Sequence, residues 1–233
     1  MLQGFIPSSP VFHLMFPHIC IGCGSDVLDG GNYLCLECIN DLPHTNYAQH
    51  ANNPAEKIFW GRVPITAAMC AFYFTKVSIV QNLIHEFKYK GNREIGKYLG
   101  CMIGESIVGS NRFKDISIII PLPLFIEKEK RRGYNQAKIL CDGISDLTGI
   151  HVLTNHVVRI VDTESQTKKK RIQRWKNVDK TFRVLNPEVL EGHHVLLVDD
   201  VITTGSTLEA CASEILKVKN TKVSIAALAM ASG

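Results

Sequence analysis

The sequence predicts an α/β fold, a parallel sheet flanked by helices, with a small cysteine-rich lobe at its N-terminal side. Three observations carry this. Short apolar, mostly β-branched runs recur, as in Ile116 to Ile120 and Val195 to Val198. They lack the alternation of a half-solvated strand, as expected of strands buried on both faces of a parallel sheet. Helical stretches separate them, and two Cys-x-x-Cys pairs stand ahead of them all.

The chain has 233 residues, 45% of them hydrophobic, enough to bury about 70% of its unfolded surface. That length suits one main domain plus a small appendage. The expected division is a lobe over residues 1–50 and a main domain over 51–233, because residues 46–62 are polar and turn-rich (Asn46, Gln49, Asn52, Asn53, Pro54, Gly61). No run approaches the 18 apolar residues of a membrane span. Met1-Leu-Gln-Gly-Phe-Ile-Pro lacks the basic start of a signal peptide, so a cytoplasmic location is expected. The formal net charge of +4 is too mild to name a partner.

Cys20, Cys23, Cys35 and Cys38 form two knuckles with eleven residues between them. This spacing can bring four thiolates to one tetrahedral ion, and a complete set of four sulfur ligands points to structural zinc. Such an ion contributes on the order of 10 kcal/mol, enough to fold a lobe that lacks a core. Two disulfides, or a redox pair, are the competing readings, and the first needs an oxidising compartment. Cys70, Cys101, Cys141 and Cys211 sit among apolar neighbours and read as core residues.

Ile65 to Phe74 reads as the first strand, then Ser78 to Phe87 and Glu94 to Val108 as helices broken at Gly91-Asn92. Lys88-Tyr89-Lys90-Gly91 at that break could meet a phosphate or could equally be a solvated helix end. Ile116 to Ile120 is closed by Pro121-Leu122-Pro123. A basic stretch follows, Lys128 to Arg132, then Gly133-Tyr134-Asn135-Gln136, leading into a helix through Leu147. Guanidinium groups after a strand can seat a pyrophosphate, though such a patch is also an ordinary solvated face. Val157 to Val161 is a short strand. Asp162 to Lys180 is long, polar and basic, with Trp175 as an aromatic that could stack on a base.

The densest chemistry follows Val195 to Val198: Asp199-Asp200, then Thr203-Thr204-Gly205-Ser206-Thr207, then a helix over Leu208 to Val218, with Val223 to Met230 as the last strand. Ligands of open α/β sheets bind at the carboxyl ends of strands. The hydroxyls, backbone N–H groups and helix N-terminus suit a phosphate, while two adjacent carboxylates suit sugar hydroxyls. A magnesium-binding aspartate pair partnered by a P-loop is the competing reading. Gly91 to Gly96-Lys97 has the glycine spacing, but Tyr98 stands where a Ser or Thr would touch the metal.

This order of apolar strand, acid pair and hydroxyl loop resembles the binding motif for 5-phosphoribosyl 1-pyrophosphate (PRPP) of type I phosphoribosyltransferases. Together with the four-cysteine lobe, Pro121-Leu122-Pro123, Arg131-Arg132-Gly133-Tyr134-Asn135-Gln136 and Asp162-Thr163 to Gln166, it resembles the ComF family over nearly the whole chain. The resemblance implies a type I phosphoribosyltransferase-like domain behind a structural Zn2+ lobe, with Mg2+ bound alongside PRPP. Asp199 and Asp200 would hold the ribose hydroxyls and be the catalytic pair, and Thr203, Thr204, Gly205, Ser206 and Thr207 would cradle the 5′-phosphate. Arg131, Arg132, Lys88 and Gln166 would serve the pyrophosphate and a lid over residues 162–180. It also implies a link to uptake of transforming DNA, with single-stranded DNA and a competence helicase as partners. Thr163-Glu164-Ser165-Gln166 lacks the proline the family often places there. Two functions are expected: a phosphoribosyltransferase, or a single-stranded DNA-binding module that reuses the phosphate sites.

Overall fold

The computed structural model describes residues 19–26, 28, 32–75, 78–89, 91–125, 127, 129–130, 133–160 and 181–231. In chain order these form α1 (Leu36–Asn40), α2 (Pro54–Lys57), β1 (Ala67–Phe74), α3 (Ile79–Tyr89), α4 (Arg93–Val108), β2 (Ile118–Pro121), α5 (Gln136–Thr148), β3 (His151–Val152), β4 (Val157–Arg159), β5 (Phe182–Val184), β6 (His194–Ile202), α6 (Ser206–Ile215) and β7 (Lys222–Ala231). The main sheet runs β1-β7-β6-β2-β3, and every pairing in it is parallel. Val195 to Val198 in the central β6 are fully buried, as a strand covered on both faces requires.

The strand order sets the place of the site. The chain leaves β2 for β3 on one side and leaves β6 for β7 on the other. The gap beyond the carboxyl ends of β2 and β6 is therefore the topological switch point. Right-handed crossovers put α5 and α6 on opposite faces of the sheet.

Several element ends differ from the sequence reading for identifiable reasons. β6 runs on past Val198 because its ladder with β7 continues, with Asp199 opposite Ala227 and Ile202 opposite Met230. The acid pair thus lies within the last residues of the strand instead of after it. The next helix starts at Ser206, two residues early, because Gly205 takes the left-handed N-cap conformation. Val157 to Arg159 joins no strand of the main sheet. It pairs antiparallel with β5, a three-residue strand too short to show a period.

Residues 46–62 are polar in composition yet packed on the sheet. Asn53 caps α2 by accepting from the Glu56 N–H and donates to the Ala68 carbonyl at 2.9 Å. Glu56 pairs with Arg112, and Ala55 and Phe59 are fully buried. The cysteine lobe seats on the same body: the Asn82 amide of α3 donates to the Gly22 carbonyl, and Tyr33 meets Tyr98 of α4 at 5.4 Å between ring centroids. Among the described residues no helix is long and apolar enough to cross a membrane.

Helices α4 and α5 touch backbone to backbone. A Cβ on Gly143 would lie 2.1 Å from the Lys97 carbonyl oxygen, and one on Gly100 would lie 2.3 Å from that of Leu140. Gly143→Ala is therefore expected to force the helices apart and cost about 3 kcal/mol. A thermal melt should show a fall in Tm of roughly 6–12 °C; a fall below about 2 °C would mean that the pair can separate freely.

Candidate functional site

Asp199 and Asp200 stand at the carboxyl end of β6. The Asp200 N–H donates to Asp199 Oδ1 at 2.8 Å. Asp200 Oδ2 lies 2.6 Å from Lys88 Nζ, on the last turn of α3. Burial first, and the Asp200 charge second, push the Asp199 carboxyl up to about 8, against the opposing pull of the Asp200 N–H, Lys88 and Arg159. An aspartate in the unfolded chain titrates near 4, so the folded chain holds one extra proton between the two values. The stability this carries is complete below about pH 4 and is lost as pH rises through about 8. Without ligand, Asp199→Asn should match wild-type stability near pH 4. Its gain should grow with pH to on the order of 5 kcal/mol at pH 8.5, and a gain independent of pH would show a carboxylate that is charged throughout.

The hydroxyl loop turns directly out of β6. Gly205 has φ +72°, and a Cβ there would meet Ile58 Cγ2 at 2.6 Å and Phe59 at 3.0 Å, so both backbone and packing demand glycine. Asp199 and residues 201 to 208 line a small hollow of about 100 Å³. Thr204 Oγ1 and Ser206 Oγ, 3.0 Å apart, are exposed beside it. The first N–H groups of α6 lack helical acceptors, as at any helix start, and the dipole there favours an anion.

Sequence reasoning missed one side chain at this loop. Arg62 donates to the Thr204 carbonyl at 2.9 Å and to Ser206 Oγ at 3.4 Å, and it pairs with the Glu209 carboxylate. Its contact with Thr204 spans 142 positions of sequence, and no local pattern marks it.

At β2 the structure separates scaffold from candidate ligand groups. Asn135, which follows the basic stretch, caps α5 by accepting from the Ala137 N–H and donates to the Leu122 carbonyl, both at 3.0 Å. The Tyr134 hydroxyl donates to the Phe87 carbonyl, and Arg93 lies 5.3 Å from the Tyr134 ring centroid. These contacts tie the loop after β2 to the end of α3, which is how Lys88 comes to the acid pair. A cavity of about 360 Å³ opens alongside, lined in part by Pro121, Pro123, Asn135, Lys138, Asn155 and Arg159. Arg131, Arg132, Gln166, Trp175 and the basic segment 162–180 lie outside the described residues.

The four N-terminal cysteines converge, with their Sγ atoms all within 4.8 Å of one another. A tetrahedral ion with bonds of about 2.3 Å separates its sulfurs by roughly 3.8 Å, and Cys23 and Cys35 Sγ are 3.8 Å apart. Burial raises the Cys20 thiol, but the backbone N–H groups of Cys23, Cys35 and Gly22 outweigh it and bring it down to about 6. Burial and the three neighbouring thiols push Cys38 well up. One sulfur poised as thiolate and another held neutral by crowding is the arrangement that a dication relieves. The donor set therefore fits a thiophilic metal, zinc above all. Cys70, Cys141 and Cys211 are fully buried core residues, and Cys101 is half-buried.

Residues 120–232 match the phosphoribosyl transferase domain family. The chain is 29% identical over 228 residues to competence protein F of Haemophilus influenzae, covering 91% of this chain and 96% of that protein. It is 30% identical over 138 residues to the DNA utilization protein YhgH of Escherichia coli K12, covering 58% of this chain and 60% of the relative. The match to competence protein ComFC of Bacillus subtilis is 29% over 145 residues and spans 56% of that protein. Among solved structures, glutamine PRPP amidotransferase from B. subtilis, complexed with ADP and GMP, aligns with a TM-score of 0.42 at 17% identity, over 61% of this chain and 30% of that one.

Proposed function

We propose, for a chain that belongs to the ComF family of competence proteins, that the carboxyl end of β6 is a PRPP site serving phosphoribosyl transfer. One observation carries the reading: an acid pair and a hydroxyl loop meet at the switch point of a parallel sheet, inside the region that matches the phosphoribosyl transferase domain. In this reading the N–H groups and hydroxyls of Thr203 to Thr207 hold the 5′-phosphate, and Asp199 and Asp200 accept from the ribose 2′ and 3′ hydroxyls.

The reaction is displacement at C1 of the ribose. An acceptor nucleophile forms the new bond while pyrophosphate leaves with the electron pair of the old one. Positive charge grows on the ring as the C1–O bond stretches, and the acid pair beneath it offsets that charge. Holding the ribose at three points fixes C1 against the incoming nucleophile. Lys88, Arg131, Arg132 and Gln166 are assigned to the leaving group. The oxygen donors of Asp199 and Asp200 suit a hard cation, and Mg2+ bound with PRPP supplies further neutralisation of the pyrophosphate. Residues 1–50 form a zinc-held lobe and 51–233 the transferase domain. The names of the relatives, competence protein and DNA utilization protein, extend the proposal to a role in handling DNA, and a cytoplasmic location is part of the same proposal.

The test is calorimetric titration of PRPP with Mg2+ into the purified full-length protein, alone and with single-stranded DNA bound. Saturable PRPP binding is expected. Absent PRPP binding, with DNA affinity falling by a log–log salt slope near −0.7 per phosphate contacted, would replace the transferase with a DNA-binding module.

A further inference from the structure

We infer that Arg62 is a positioning residue for the phosphate loop, supplied from outside the phosphoribosyl transferase region, and that it acts by cancelling Glu209. The inference rests on the phosphate reading above and adds a residue that neither the motif nor the family match contains: the match begins at residue 120, and Arg62 follows the short helix α2.

The geometry commits the guanidinium almost entirely. One terminal nitrogen donates to the carbonyls of Ile58, at 3.0 Å, and Thr204, at 2.9 Å; the other donates to Ser206 Oγ and Glu209 Oε2. Four donors are thus spent on the protein, leaving little to offer a ligand. What Arg62 does for the loop is electrostatic and conformational. Glu209 lies in the first turn of α6, where a carboxylate favours the helix itself but repels any phosphate brought to the same N-terminus. Arg62 is the cation paired with it. The same side chain holds the Thr204 carbonyl oxygen, a second negative pole beside the hollow. The turn that carries Arg62 also packs Ile58 and Phe59 against Gly205. The loop's left-handed bend and its charge balance are thus set by one segment that precedes the first strand.

The experiment titrates PRPP with Mg2+, ribose 5-phosphate and inorganic phosphate into the full-length wild type and into R62A, R62K, E209Q and R62A/E209Q. Arg62→Ala should weaken ribose 5-phosphate roughly tenfold, the scale of one charge-assisted contact, with the loss shrinking at high salt. Arg62→Lys should recover part of it, because the charge returns without the fork. The double variant should recover at least half, because the unbalanced carboxylate is gone. A thermal melt of each variant separates folding from binding. Wild-type affinity in R62A, or a double variant as weak as R62A alone, overturns the role given to Arg62 while leaving the site intact. A wild type that binds none of the three probes overturns the phosphate reading itself.

Discussion

Replacing Asp199 and Asp200 together with alanine is expected to abolish PRPP binding while the fold survives. Above about pH 8, where both side chains are ionised, each carboxylate that accepts from a sugar hydroxyl makes a charge-assisted bond of about 1.5–3 kcal/mol, so losing two weakens binding by roughly 10² to 10⁴. Survival of the fold follows from the site's own electrostatics. Asp199 is half-buried beside a second carboxylate, and its carboxyl is pushed up to about 8; removing it relieves a conflict instead of breaking a support. Lys88 loses its partner Asp200, but its side chain retains 22% exposure and can carry its ammonium into water. Calorimetry paired with a thermal melt checks both halves. An unchanged PRPP affinity in a folded double variant would refute the roles assigned to the pair. The single variant Asp200→Asn is the sharper probe of Lys88: it keeps the shape and removes the charge that holds the lysine over the site.

What the sequence revealed of this site was whatever lies contiguous in it. The apolar run, the acid pair, the hydroxyl loop and the following helix succeed one another within about twenty residues, so strand burial and site chemistry are read together. The cysteine knuckles are legible for the same reason. Where function depends on contacts across the chain, local pattern is silent. Arg62 sits in a stretch whose polar composition reads as a boundary, yet Asn53 and Glu56 there spend their polarity on capping, on Ala68 and on Arg112. That is how a polar sequence becomes a packed one. Lys88 gave no sign that it would pair with Asp200, because the approach depends on Tyr134 anchoring the end of α3. The true end of β6 was likewise set by the length of its neighbour β7 and not by its own apolar run. Strand limits belong to ladders, and ladders are not local.

The second large effect concerns the metal. The purified protein is expected to hold one zinc per chain, and Cys20→Ser or a strong chelator should release it and loosen residues 19–41. The described residues of 19–41 bury only Cys20, Leu34 and Cys38, two of them proposed ligands, so packing supplies little of what a metal site contributes, on the order of 10 kcal/mol. Without the ion, clustered sulfurs would titrate against one another in a half-buried space, the conflict already visible between a lowered Cys20 and a raised Cys38. Loosening should stop at the docking contacts, Asn82 with Gly22 and Tyr33 with Tyr98, because the sheet beneath is closed by its own core. Hydrogen exchange should therefore show residues 19–41 losing protection while β6 and β7 keep theirs. Zinc content near zero in freshly purified protein would remove the metal site, and unaltered exchange after chelation would mean that packing alone holds the lobe. PRPP affinity should change by less than about threefold on zinc loss, since the Lys88 end of α3 is also pinned by the Tyr134 hydroxyl on the Phe87 carbonyl. A larger drop would show that α3 transmits the state of the lobe to the acid pair.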